Sequence, residues 1–177
     1  MKRVLCILEN GFEEIETITP IDLLRRAGAE VVLASVSEIG VIGKCGIKII
    51  ADALLSDVKE QEFDALFLPG GPAVMQLRKN AEVINLIRRF HEEKKCIAAI
   101  CAAPLLLKDA ELLEGKHFTS HSTTTTELPQ SNGERVVIDG QLLTSRGAGT
   151  AFEFGLTFVE MLFGKATSDE VSNAVMA

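Results

Sequence analysis

Cys96-Ile97-Ala98-Ala99-Ile100-Cys101-Ala102-Ala103-Pro104 is the stretch that decides the fold. Cys96 to Ile100 is an unbroken apolar run, which reads as a strand buried on both faces. Cys101-Ala102-Ala103-Pro104 reads as the immediate start of a helix. Three further runs have the same strand character: Arg3 to Leu8, Glu30 to Val36, and Asp64 to Leu68, the last stopped by Pro69-Gly70-Gly71. Helical spacing lies between them. Glu13-Glu14-Ile15-Glu16 opens a pattern through Ile18, Ile21 and Leu24 that closes at Gly28, with acids at its start and Arg25-Arg26 at its end, as the helix dipole favours. Pro20 is expected to kink or divide that helix. Ala81 to Glu93 carries Val83, Ile84, Ile87 and Phe90 at helical spacing.

Buried strands alternating with helices indicate a parallel sheet covered on both sides. The expected class is α/β, a flavodoxin-like three-layer α/β/α sandwich with a mostly parallel sheet. Lys48 to Ala51 adds a short strand, and Arg135 to Ile138 with Leu142 to Ser145 forms a hairpin turning at Asp139-Gly140. Thr150 to Phe163 reads as a helix with Phe152, Leu156, Val159 and Phe163 on one face. Thr167-Ser168-Asp169-Glu170 reads as the cap of a last short helix.

The chain has 177 residues, 47% hydrophobic and 24% charged, which fits one globular domain over residues 1–177. Eighteen basic against 25 acidic side chains leave 18 − 25 = −7. An acidic surface repels phosphate backbones, and Arg25-Arg26 and Lys94-Lys95 are too short to make a basic patch, so no broad nucleic-acid binding is expected. No apolar run approaches the roughly 20 residues of a membrane helix. The N-terminus reaches Glu9 too soon for a signal peptide. Cys6, Cys45, Cys96 and Cys101 match no zinc spacing, and Cys6 and Cys96 read as buried small hydrophobes. A reducing cytoplasm is the expected compartment.

Ligands of such sheets sit beyond the carboxyl ends of the strands. That directs attention to Asn10 to Glu16, Pro69-Gly70-Gly71 and Cys101. A cysteine between a buried strand and a helix stands where a nucleophile elbow would place it, and a helix N-terminus favours the thiolate. The alternative is a second buried hydrophobe like Cys96. Among Glu13, Glu14 and Glu16, the last lies nearest the apolar face suggested by Ile15 and Ile18. An inward carboxyl beside a thiolate would have a raised pKa. The alternative is three solvated acids at a helix start. Gly70 and Gly71 either aim N–H groups at an anion or form a plain tight turn. His91 lies in a charged stretch and is expected to be exposed. His117 and His121 follow the Cys101 helix, and either is a candidate base for the cysteine.

Ala98-Ala99-Ile100-Cys101-Ala102-Ala103-Pro104 resembles the nucleophile elbow of the ThiJ/PfpI superfamily, in its DJ-one/YajL-like branch. Gly11-Phe12-Glu13-Glu14-Ile15-Glu16-Thr17, Leu68-Pro69-Gly70-Gly71, Leu143-Thr144-Ser145-Arg146-Gly147 and Phe152-Glu153-Phe154 resemble family segments in the same order. The resemblance implies a flavodoxin-like homodimer with a reactive, oxidisable cysteine. It implies Cys101 as nucleophile, Glu16 as the protonated carboxyl bonded to it, and His121 as the nearby histidine. It also implies that Gly70, Gly71 and Ala102 line an oxyanion site with their N–H groups, without cofactor or metal. Two departures stand out. Ala102 follows Cys101 where the proteolytic branch has histidine, so a protease is not expected. Gly43-Lys44-Cys45 stands where the branch has Cys-Ser-Arg, so Cys45 replaces an arginine that reaches toward the partner's site, and a resolving thiol is conceivable there.

The implied activity is a glyoxalase III or deglycase-like reaction on 2-oxoaldehydes, methylglyoxal and glyoxal, or on their early adducts with protein side chains. The alternative is an oxidative-stress sensor or redox-regulated chaperone acting through oxidation of Cys101 without turnover.

Overall fold

The structure is a computed structural model describing all residues from 1 to 177. Arg3–Leu8 (β1) leads through Glu14–Arg26 (α1) to Glu30–Ser35 (β2). A small antiparallel hairpin, Gly40–Ile42 (β3) and Lys48–Ile50 (β4), stands apart from the main sheet. Ala53–Leu54 (β5), the short Leu55–Val58 (α2) and Ala65–Leu68 (β6) follow. Val74–Leu77 (α3) and Ala81–Glu92 (α4) precede Cys96–Ile100 (β7) and Pro104–Asp109 (α5). The second half adds Val136–Asp139 (β8), Leu142–Ser145 (β9), Ala151–Phe163 (α6) and Lys165–Ala174 (α7).

The seven-stranded sheet has the order β5-β2-β1-β6-β7-β9-β8. Every pairing is parallel except β8 with β9, so the expected flavodoxin-like, mostly parallel arrangement is the one observed. Alternate residues of a strand point to opposite faces, and both faces are buried here. Leu5, Ile7, Leu66, Leu68, Ile97 and Ala99 face Val83, Ile87 and Phe90 of α4 and Leu106 of α5. Val4, Cys6, Leu8, Phe67, Ala98 and Ile100 face α1 and α6. There Phe67 meets Phe154 and Phe158 with ring centroids 5.8 and 6.0 Å apart.

Several local expectations are corrected. Pro20 does not divide α1, which runs unbroken. It packs tightly against α6 at Gly155, where a Cβ would come within 3.1 Å of Pro20 Cα. Ile15 and Ile18 are exposed, while Glu16, Pro20 and Leu23 form the inward row at i, i+4 and i+7. On α6 the buried face is Ala151, Phe154, Gly155, Phe158 and, as expected, Val159, while Phe152 is turned outward. Thr167 to Glu170 lie inside α7, which starts after Gly164. Cys96 is half-buried rather than buried. Helix α5 begins at Pro104, leaving Cys101 to Ala103 as a turn.

Candidate active site

The strand order reverses between β1 and β6, and a crevice for ligands opens at such a reversal. Three segments close around it. The Glu13 N–H donates to the Gly70 carbonyl at 3.1 Å, and the Ala73 N–H to the Gly11 carbonyl at 3.2 Å, which joins the loop after β1 to the loop after β6. Cys101 follows β7. Its N–H donates to the Ser145 carbonyl of β9 at 2.8 Å, and its own carbonyl accepts from the His121 N–H at 2.8 Å.

Those two bonds pin Cys101 at φ +65°, in the left-handed region. A side chain there costs roughly 1–2 kcal/mol, which persists only where the surroundings fix it. The turn lifts the half-buried thiol out of the alternation of β7 and into the crevice. Glycine is required opposite. A Cβ on Gly70 would lie 2.6 Å from Cys101 Cβ and collide with the Glu16 carboxyl. Gly71 sits at φ +94°, and a Cβ there would come within 2.7 Å of the Glu13 nitrogen.

All three glutamates at the start of α1 are buried, so none is the solvated dipole partner that the alternative reading offered. Glu13 caps the helix, accepting from the Glu16 N–H at 2.7 Å. Glu14 Oε1 accepts the N–H groups of Cys45 at 2.8 Å and Ile47 at 3.3 Å, tying the β3–β4 turn to α1. Burial pushes Glu14 up, but its backbone donors outweigh this and leave its pKa lowered. Glu16 is 1% exposed, and its Oε2 has no hydrogen-bond partner. Burial raises its pKa to about 7, although hydrogen bonding toward the Cys101 thiol and the charge of Lys44 pull the other way. A buried carboxylate oxygen without a donor is costly, and protonation relieves that cost.

Cys101 is pushed up to about 12, first by burial and then by the Glu16 carboxylate, against the Gly71 and Ala102 N–H groups that favour the thiolate. The expectation of a simply depressed thiol is therefore corrected. The elbow donors are present, but burial and then an ionised Glu16 override them. The two groups compete for one proton, and a protonated Glu16 is the condition under which the thiolate forms. The Gly70 backbone bears on Glu16 rather than on the sulfur.

His121 is half-buried and lines the same cavity as Cys101. Its Nδ1 accepts the Thr123 N–H at 3.2 Å and pairs with the Thr123 hydroxyl at 2.9 Å. In a neutral ring this pattern assigns the proton to Nε2, so the free edge is a donor rather than a base. His117 is exposed, away from the cavity. His91 is half-buried rather than exposed, and Gln141 holds it.

The cavity measures about 640 Å³ and brings Cys101, Glu16, Gly71, Ala102 and His121 together. It also contains Lys44, which sequence reasoning passed over in favour of its neighbour Cys45. Cys45 itself is exposed and is not among the lining residues. No three His, Cys, Asp or Glu side chains cluster as metal ligands would. No helix is long and apolar enough to cross a membrane.

A strand–cysteine–helix elbow on a flavodoxin-like sheet, with a buried glutamate against the sulfur, defines a class of cysteine-centred α/β proteins. The chain belongs to the DJ-1/PfpI family, whose sequence model matches residues 2–161. It is 41% identical to Protein DJ-1 homolog A of Arabidopsis thaliana over 182 residues, which takes in 99% of this chain but only 46% of that protein. The chain thus spans about half the length of that relative. It is 33% identical to Deglycase TK1284 of Thermococcus kodakarensis, covering 90% of this chain and 99% of that one. The crystal structure of Drosophila melanogaster DJ-1beta superposes with a TM-score of 0.94 at 36% identity, covering 99% and 98% of the two chains.

Proposed function

We propose that this chain is a cofactor-independent cysteine enzyme acting on 2-oxoaldehydes such as methylglyoxal, or on their early protein adducts, in the manner of a deglycase. The observation that carries the reading is the pairing of Cys101, held at φ +65° in the cavity, with a Glu16 carboxyl whose pKa stands at about 7. A carboxyl poised near neutral pH both takes and returns protons. The relative named a deglycase supports the same reaction class.

In this reading the Cys101 proton passes to the Glu16 carboxylate as the sulfur bonds the aldehyde carbon, and the carbonyl electron pair moves onto oxygen. The resulting oxyanion lies against the Gly71 and Ala102 N–H groups. Glu16 then gives that proton to substrate oxygen, takes the proton of the former aldehyde carbon and delivers it to the neighbouring carbon through an enediol, giving a 2-hydroxyacyl thioester. Water attacks that thioester as one of its protons passes to Glu16, and Cys101 departs as thiolate, recovering that proton from Glu16. The balance is methylglyoxal plus water to lactate and a proton. His121 donates from Nε2 to substrate oxygen.

The exposed Ile15 and Ile18 of α1 and Ile42, Ile47 and Ile50 of the hairpin support a homodimer through this side of the molecule. Sedimentation as a monomer at micromolar concentration would refute that part. The activity is tested by following lactate from methylglyoxal with protein freed of trace glyoxalases, beside Cys101→Ala. Turnover lost in the variant supports the enzyme. Equal rates in both reject it, and facile peroxide oxidation of Cys101 without turnover would favour the sensor reading.

A further inference from the structure

We propose that Lys44 gives the Cys101 cavity a positive charge, so that it prefers carbonyl compounds bearing an anionic group, a carboxylate or a phosphate, over neutral ones. The proposal rests on the preceding reading for its substrate chemistry, but not for its charge. Lys44 is the one lysine or arginine among the lining residues. It is exposed and takes part in none of the chain's ion pairs.

The acids that line the cavity do not cancel it. Glu127 is engaged by Arg78 at 2.7 Å and Lys108 at 3.4 Å. Glu16 is buried where its ionised form is disfavoured, and among the charges it feels is that of Lys44. Glu14, ionised against the same turn, spends its Oε1 on the N–H groups of Cys45 and Ile47 and forms no ion pair with Lys44, so with Glu16 protonated Lys44 is the unpaired cation of the cavity wall.

Its position is built into the backbone. The Lys44 N–H donates to the Phe12 carbonyl at 2.8 Å, and the Gly43 N–H to the Ile47 carbonyl at 2.9 Å. Glu14 holds the next two available N–H groups of the turn, those of Cys45 and Ile47. Gly43 lies directly on Glu14, since a Cβ there would come within 2.8 Å of Glu14 Cγ. The turn is thus laid against the first turn of α1, two residues from Glu16. An ammonium on a flexible stem at that place acts as a point charge for an anionic oxygen. Lactate, the product of the proposed reaction, is itself such an anion.

The test compares two alkylating agents of the same mechanism, anionic iodoacetate and neutral iodoacetamide. Changes in thiolate population cancel in the ratio of their rates with Cys101. Lys44→Gln should lower the iodoacetate-to-iodoacetamide ratio about five- to tenfold, as expected for one unit charge at short range in a partly solvated site. Lys44→Arg should keep the ratio within about twofold, because the charge is retained. An unchanged ratio in Lys44→Gln overturns the proposal. Protection of wild-type Cys101, but not of Lys44→Gln, by lactate or by inorganic phosphate supports it and assigns carboxylate or phosphate respectively. Protection by neither overturns the ligand preference. These readouts need no turnover, so a chain inactive on methylglyoxal would sink the enzymatic reading and leave the charge of the cavity measurable.

Discussion

Glu16→Gln removes an ionisable group while keeping nearly the same shape, and the structure sets the size and sign of the effect. In the folded chain Glu16 titrates at about 7, raised from an ordinary 4.5 mainly by burial. A group whose folded pKa is raised is protonated in the folded chain while the unfolded chain has already released its proton. Wild-type stability therefore falls as pH rises from about 4.5 and levels off above about 7. A gap of roughly 2.5 pH units corresponds to about 3 kcal/mol at about 1.4 kcal/mol per unit. Solvent screens little of this, since the side chain is 1% exposed. Glutamine has no such titration. Any fixed cost of its amide against Gly70 and Cys101 is the same at every pH. Urea unfolding of both proteins at about pH 4 and about pH 8 isolates the ionisation. Relative to wild type, Glu16→Gln should gain about 3 kcal/mol between the two conditions. An equal stability difference at both would refute the claim that a buried, ionisable carboxyl sits at this position.

The same substitution should lower the pH midpoint for iodoacetamide labelling of Cys101, because the carboxylate that opposes the thiolate is gone; a midpoint that stays or rises would refute the coupling. Loss of the proton carrier should reduce turnover of methylglyoxal by about 10²–10⁴-fold. Gly70→Ala should abolish labelling and turnover and cost about 1–3 kcal/mol, since its Cβ meets not only the Glu16 carboxyl but also Cys101 Cβ and the Ile100 carbonyl, which cannot swing away, and a thermal melt checks the cost. Arg78 bonds both Asp109 and Glu127 with pairs of N–H groups, and Arg78→Met should cost about 2 kcal/mol in urea unfolding at neutral pH. Glu127 is held at about 2, chiefly by Arg78, so its contribution is complete above about pH 4.5 and fades as pH falls toward 2. The deficit of Arg78→Met should shrink over that range.

Much of the architecture was legible because parallel strands buried on both faces leave continuous apolar runs. Arg3 to Leu8 and Cys96 to Ile100 declare themselves without any partner being known. The abrupt ends of those runs at Asn10-Gly11, Pro69-Gly70-Gly71 and Cys101 marked the edge of the sheet where a site would lie. The resemblance then picked out Glu16 and His121, which composition and spacing left among alternatives. Amphipathic faces were harder to read. Ile15, Ile18 and Phe152 look like core residues in sequence, yet they are exposed, because the inward row of α1 and α6 is set by where each helix meets the sheet and by the Pro20–Gly155 contact between them.

The sequence by itself determined the strand runs, the strand-to-helix turn at Cys101 and the glycines opposite it, since these are local properties of residue type and order. Only the tertiary structure decided the protonation balance of Glu16 and Cys101. A pKa depends on desolvation and on charges brought close by folding, and Glu16 meets Cys101 only when the loops after β1, β6 and β7 converge. Lys44 was invisible for the same reason. Nothing in Gly43-Lys44-Cys45 says which side chain enters the cavity until Glu14, two residues before Glu16 in the first turn of α1, takes hold of the N–H groups of that turn.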